Sequence, residues 1–201
     1  MTAQAGQVRN GFAREHPGLT ARWLGPTWRP VAWGALAGYC GYASEPVYYD
    51  YGTTAVYEGE TVYVNGDSYA SSGDFASQAT TIAEAGQAAS PAAEDEFMTL
   101  GVYGMVQGDE TTATQVFQIK VNKQGVIRGE YYNATTDQTE KIFGSVDQKS
   151  QRAAWTIGDK KTPVYEAGIA NLTKAETTMI VHYGKDRSQQ WTLVQISSSN
   201  Q

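Results

Sequence analysis

A chain of 201 residues with one cysteine, 41% apolar residues and a formal net charge of -6 is the size of one ordinary domain plus a smaller appendage. The single cysteine, Cys40, excludes an internal disulfide and any thiolate metal cluster built from this chain alone. The charge is uneven: +3 over residues 1–44, -10 over 45–96 with no Lys or Arg, and +1 over 97–201. A segment so acidic argues against nucleic acid as a partner, because phosphate binding needs clustered cations. No cofactor or metal is called for.

Residues 1–45 lack a clear secretory signal. The one apolar run, Val31 to Ala43, is too short to span a bilayer and is interrupted by Gly, Tyr and Trp. It reads as a segment packing Trp28, Trp33 and Leu36 on the neighbouring domain. Residues 1–45 are expected to be disordered or loosely packed, with 1–20 disordered because they are polar and terminal.

Residues 46–86 read as an acidic, Tyr-rich β-hairpin or small meander followed by a helix. The β-prone runs VYYDY, TAVY and TVYV are separated by Gly52, by Glu58-Gly59-Glu60 and by Asn65-Gly66, a pair suited to a type I′ turn. Phe75, Ala79, Ile82 and Ala83 share one helical face, with Ser72 or Asp74 as the cap and Gly86 as the end. Residues 87–96 are a Pro- and Ala-rich acidic linker. Gly66-Asp67-Ser68 resembles the nucleophile block of the GDSL hydrolases. However, no Asp-x-x-His block follows, and the residue three before His182 is Met179. Ser68 is therefore read as a turn residue, with an esterase as a distant alternative. Asp50, Glu58, Glu60, Asp67 and Asp74 lack the ligand spacing of an EF-hand and read as a solvated acidic face.

From residue 97 onward, period-two alternation bounded by turn residues predicts eight strands. They run from about Phe97–Val106, Ala113–Asn122, Gly125–Asn133, Gln138–Asp147, Ser150–Gly158, Pro163–Asn171, Glu176–Gly184 and Ser188–Ser197. Short connections make this an antiparallel up-and-down meander, and eight is a count at which a sheet closes into a barrel. The fold class is therefore mainly β: an eight-stranded antiparallel barrel, residues 97–201, preceded by the hairpin-plus-helix element. The predicted core is Leu100, Val102, Phe117, Ile119, Ile127, Ile142, Val146, Trp155, Ile169, Val181, Trp191 and Leu193. Arg128 and Glu130 read as an exposed same-face pair, and His182 as a lone strand-face histidine. Asn133 and Asn171 begin glycan-acceptor sequons that also read as turns.

Three stretches taken together, 46–66, 75–84 and 146–171, resemble cell-surface proteins of planctomycete bacteria often named mu-protocadherin-like. The resemblance implies an exported or envelope protein without a catalytic motif. The expectation is a non-enzymatic structural or interaction module, extracellular or in the cell envelope. Its partner would be another envelope protein or a polymer, and no transmembrane helix is expected. The alternative is a small-ligand barrel whose interior is lined by Tyr131, Trp155, Tyr165 and Trp191. A filled barrel favours the first reading and an open cavity the second.

Overall fold

The computed structural model describes residues 2–92 and 94–196. In chain order the elements are α1 (Ala3–Glu15), α2 (Pro17–Leu24), α3 (Trp33–Cys40), β1 (Ala55–Glu58), β2 (Thr61–Val64), β3 (Asp67–Ser71) and α4 (Ser72–Ala88). They are followed by β4 (Phe97–Val106), β5 (Gln115–Asn122), β6 (Val126–Asn133), β7 (Gln138–Val146), β8 (Arg152–Ile157), β9 (Val164–Gly168), β10 (Glu176–His182) and β11 (Ser188–Ile196).

The eight strands β4 to β11 pair antiparallel in sequence order, and β11 closes onto β4 to complete a barrel. Alternation sets the two faces of the wall. Phe117, Ile119, Ile127, Ile142, Trp155, Ile169, Val181 and Leu193 belong to one buried cluster inside, each 0% exposed. The expected strands therefore form; the expected residue Ser197 at the end of the last one lies outside the described residues, as do Met1 and Ala93. Val102 is buried as expected but on the other side of the wall, in the cluster beneath α1. A register shift between Thr99 and Gly101 separates it from the alternation of inward residues.

The expected disorder of the chain start is corrected. Residues 3–15 are helical, with the Thr2 hydroxyl accepting from the Ala5 N–H at 3.1 Å. Ala5, Val8 and Phe12 fall on one helical face and cover Val102, Val106, Val194 and Ile196 on the outside of β4 and β11. The helix carries little apolar surface of its own; the barrel wall supplies the rest, which is why local sequence did not show it. The run around Leu36 does pack as expected: Leu36, Ala37 and Cys40 of α3 join the interior cluster. The Cys40 thiol lies 3.6 Å from the Asn122 carbonyl, so α3 closes the end of the barrel where β5 stops.

The acidic segment forms a three-stranded sheet, β1-β2-β3. Asn65 and Gly66 both have positive φ, as a type I′ turn requires. The run at residues 47–51 stays outside this sheet and lies extended on the barrel: the Tyr49 N–H donates to Asn171 Oδ1 and the Tyr51 N–H to Thr178 Oγ1. Helix α4, expected over Phe75–Ala85, begins three residues earlier at Ser72, capped by Ser71 rather than Ser72 or Asp74, and continues past Gly86 to Ala88. It lies across β7, β8 and β9, with Ala79 and Ala83 against Ala154 and Val164. Among the described residues no helix is long and apolar enough to cross a membrane.

Candidate functional site

The barrel interior is where the sequence placed its candidate ligand residues. Trp155 comes from β8 and stands in register with Gly144 of β7, whose missing side chain leaves room for the indole. Phe117 of β5 meets Trp155 edge-on at 5.7 Å, Tyr165 at 4.9 Å and Tyr131 at 5.2 Å, and Tyr165 stacks on Trp155 at 6.4 Å. Three of the four candidates are thus gathered around Phe117. Trp191 packs on the same cluster from β11 and is only partly buried. The Tyr131 hydroxyl pairs with Gln115 Oε1 at 3.1 Å. The indole N–H groups of Trp155 and Trp191 are buried without a partner. Burial raises the pKa of the Tyr165 hydroxyl, aided by the neighbouring Tyr131, Tyr183 and Glu140.

A second constellation lies on the outside of the wall, and sequence reasoning missed it. Arg152 of β8, Glu166 of β9, His182 of β10 and Ser188 of β11 all point outward, on four neighbouring strands. Register brings them into a row: Ala154 pairs with Glu166, Ile180 with Glu166, and His182 with Ser188. Arg152 forks onto Glu166, Nε to Oε1 at 2.6 Å and Nη2 to Oε2 at 2.9 Å. His182 Nε2 is 2.8 Å from Glu166 Oε2, and His182 Nδ1 is 2.7 Å from Ser188 Oγ. The Tyr51 hydroxyl donates to Glu166 Oε1 at 3.0 Å.

Glu166 and His182 are both 0% exposed, under a lid made by α4 and residues 49–51. Arg152 Cζ sits 3.5 Å above the centre of the Phe75 ring, and its guanidinium donates to the Phe75 carbonyl and to Gln78 Oε1. Burial alone would raise the Glu166 carboxyl. The guanidinium and the hydrogen bonds from His182 and Arg152 outweigh burial and hold it down to about 2. With Glu166 ionised and acceptor-only, the His182 Nε2 carries a proton towards it; in the neutral tautomer this fixes, Nδ1 holds the lone pair that accepts from the Ser188 hydroxyl.

Ser188 is the half-buried end of this row. It opens onto a cleft of about 520 Å³ lined also by Tyr57, Glu60, Ser72, Gly73 and Lys185. The expectation that His182 stands alone is therefore corrected. The strand ends expected from sequence, Gly184 and Ser188, would set residue 182 opposite 190; the observed turn, closed by the Tyr183 N–H donating to the Arg187 carbonyl, sets His182 opposite Ser188 instead.

The remaining candidates do not converge. Ser68, expected as a turn residue, is corrected to strand β3, where it is exposed and stands opposite Tyr63. Asp50 pairs with Lys174 at 3.0 Å, while Glu58, Glu60, Asp67 and Asp74 are exposed. Asn171 is fully buried, holding Tyr49, Asp50 and Thr177, and the Asn133 side chain accepts from the Thr135 N–H. Both are turn-structuring residues. Arg128 and Glu130 share the outer face but do not pair. Arg128 donates to the Gly86 and Ala89 carbonyls at the end of α4, and Glu130 accepts from Arg22 and Trp23 of α2. Comparisons with protein-family models, with curated proteins and with solved structures return no match.

Proposed function

We propose that this chain acts as a structural or interaction module of a cell envelope or an exported assembly, with the barrel as a solid body rather than a container. The observation that supports this is the filled interior. Trp155, Phe117 and Tyr165 occupy the space a ligand would need, and α3 plugs one end. The resemblance of residues 46–66, 75–84 and 146–171 to planctomycete cell-surface proteins supports the location.

The contacting surface in this reading is the β1–β3 sheet. It carries the exposed acids Glu58, Glu60 and Asp67 and the 40% exposed Tyr69, whose ring meets Phe75 edge-on at 5.6 Å, with no compensating cation in its own segment. A cationic envelope protein or polymer is the complementary partner. The test is retention of the purified chain on washed envelope fragments. The wild type is expected to be retained at low salt and released as salt rises. A variant carrying Glu58→Lys, Glu60→Lys and Tyr69→Ala is expected to be lost. Equal retention of the two, or saturable one-to-one quenching of tryptophan fluorescence by a small apolar ligand, overturns the reading in favour of a ligand-binding barrel.

A further inference from the structure

We propose that Ser188 is a nucleophile activated by His182, with Glu166 as the positioning residue, and that it attacks short-chain carboxylic esters of polar alcohols entering the cleft between the β1–β3 sheet and the β10–β11 turn. This goes beyond the interaction reading and does not rest on it: Glu60 borders both surfaces, but covalent labelling reads Ser188 and envelope retention does not, so either idea can fail alone.

Three observations carry it. The first is the proton pattern. A serine hydroxyl 2.7 Å from a histidine nitrogen, whose other nitrogen is held at 2.8 Å by a buried carboxylate, is the arrangement that lets the imidazole take a proton from the serine. The ring here offers Nδ1 rather than Nε2 to the serine; the chemistry needs only a lone pair on the facing nitrogen. The second is access. His182 is sealed from solvent, whereas Ser188 reaches the cleft, whose volume suits a small ligand.

The third is a pair of polar groups lining that cleft. The Ser72 hydroxyl is buried without a hydrogen-bond partner, and the buried Tyr57 hydroxyl has Ser188 as its neighbouring side-chain group and no other partner. Burial raises the pKa of the Tyr57 hydroxyl, so it remains a donor at neutral pH. Buried donors without acceptors are costly, and because both residues line the cleft that Ser188 opens onto, a carbonyl oxygen bound there would supply one. The polar lining, with Glu60 and Asp186 against Lys185, suits a hydroxylated alcohol and a short acyl group rather than a lipid chain.

The step balances without a further reagent except water. The Ser188 Oγ–H proton passes to His182 Nδ1 as Oγ bonds to the ester carbon. The carbon–alkoxy bond breaks, and the alcohol leaves with the proton from Nδ1. Water then attacks the acyl-serine, giving its proton to Nδ1. The carboxylic acid departs, and the proton returns to Oγ. Because Arg152 already shares the Glu166 charge, the imidazolium is stabilised less than by a free carboxylate. The rate is therefore expected to be slow, and covalent capture reads it better than turnover.

The experiment treats the full chain with a fluorophosphonate probe and maps the adduct by mass spectrometry, alongside p-nitrophenyl acetate hydrolysis. One adduct per chain is expected, on Ser188. Ser188→Ala is expected to lose both the adduct and the hydrolysis, and its small, half-exposed change leaves the fold intact. His182→Gln is expected to slow labelling by about 100-fold or more. Tyr57→Phe, which removes one hydroxyl, is expected to slow acetate hydrolysis while the circular dichroism stays unchanged. Ser68→Ala is expected to label like the wild type. No adduct on the folded wild type, or an adduct that persists in Ser188→Ala, overturns the proposal.

Discussion

Gly86 of α4 rests directly on the backbone of Gly144 in β7: a Cβ on Gly86 would overlap the Gly144 carbonyl. On the inner side of the same wall, Gly144 stands opposite Trp155. The two glycines let a helix and an indole approach one strand from opposite sides. Gly86 is thus a packing residue within the last turn of α4, which runs on to Ala88, not the helix end that its identity suggested.

This relationship fixes the sign of two substitutions. Gly→Ala inside a helix gains up to about 1 kcal/mol from backbone propensity. At Gly86 the overlap is with backbone, which cannot swing away, and overpacking of this kind costs about 1–3 kcal/mol or more. Gly86→Ala is therefore expected to destabilise. Gly11→Ala in α1, where an added Cβ meets nothing within 4 Å, is expected to stabilise slightly. Urea midpoints of both variants decide the matter, and a more stable Gly86→Ala protein would sink the packing argument.

Trp155→Ala is expected to cost about 3–5 kcal/mol, because a fully buried indole leaves a void that its neighbours only partly fill. The void is lined by Phe117, Tyr165 and aliphatic residues. Added indole is thus expected to recover part of the stability, as apolar cavities accept matching ligands. Chemical denaturation with and without indole measures this. A loss below about 1 kcal/mol would place Trp155 outside the core.

Acid stability should follow Glu166. Its folded-state carboxyl is lowered from an ordinary 4.5 to about 2. Above pH 4.5 both folded and unfolded chains hold it ionised, and the stabilisation is fully present. As the pH falls from about 4.5 towards 2 the unfolded chain takes up the proton first, so stability drops, by on the order of 3 kcal/mol. Glu166→Gln strands the Arg152 charge and is expected to cost about 3–5 kcal/mol at pH 6. The gap between wild type and variant should narrow as the pH approaches 2. A gap that stays constant from pH 6 to pH 3 contradicts this assignment.

The barrel sequence alone, residues 95–201, lacks the helices that cover its outside. Without α1 it exposes Val102, Val106, Val194 and Ile196; without α4 it opens Arg152 and Glu166 to water. We expect that fragment to aggregate by itself, and to become soluble when residues 1–92 are co-expressed. A lone fragment that is monodisperse and unfolds at the full chain's temperature refutes this.

The strands of the barrel, the Asn65-Gly66 turn and most of the inner face of the wall are legible in the residues. The reason is local: pleating forces alternation at a spacing of two, so Ile127, Gly129 and Tyr131 share a face wherever the strand goes. What covers the outer face depends on long-range packing. The Val102, Val106, Val194 and Ile196 stripe needs a cover, since strands apolar on both sides are buried on both, but alternation alone read Val102 as core and did not single the stripe out. The cover proved to be a weakly apolar helix that the barrel itself supports. The Arg152–Glu166–His182–Ser188 row was equally hidden. Its members come from four strands, and their meeting depends on strand order and register around a closed sheet. Spacing along the chain does not encode that arrangement.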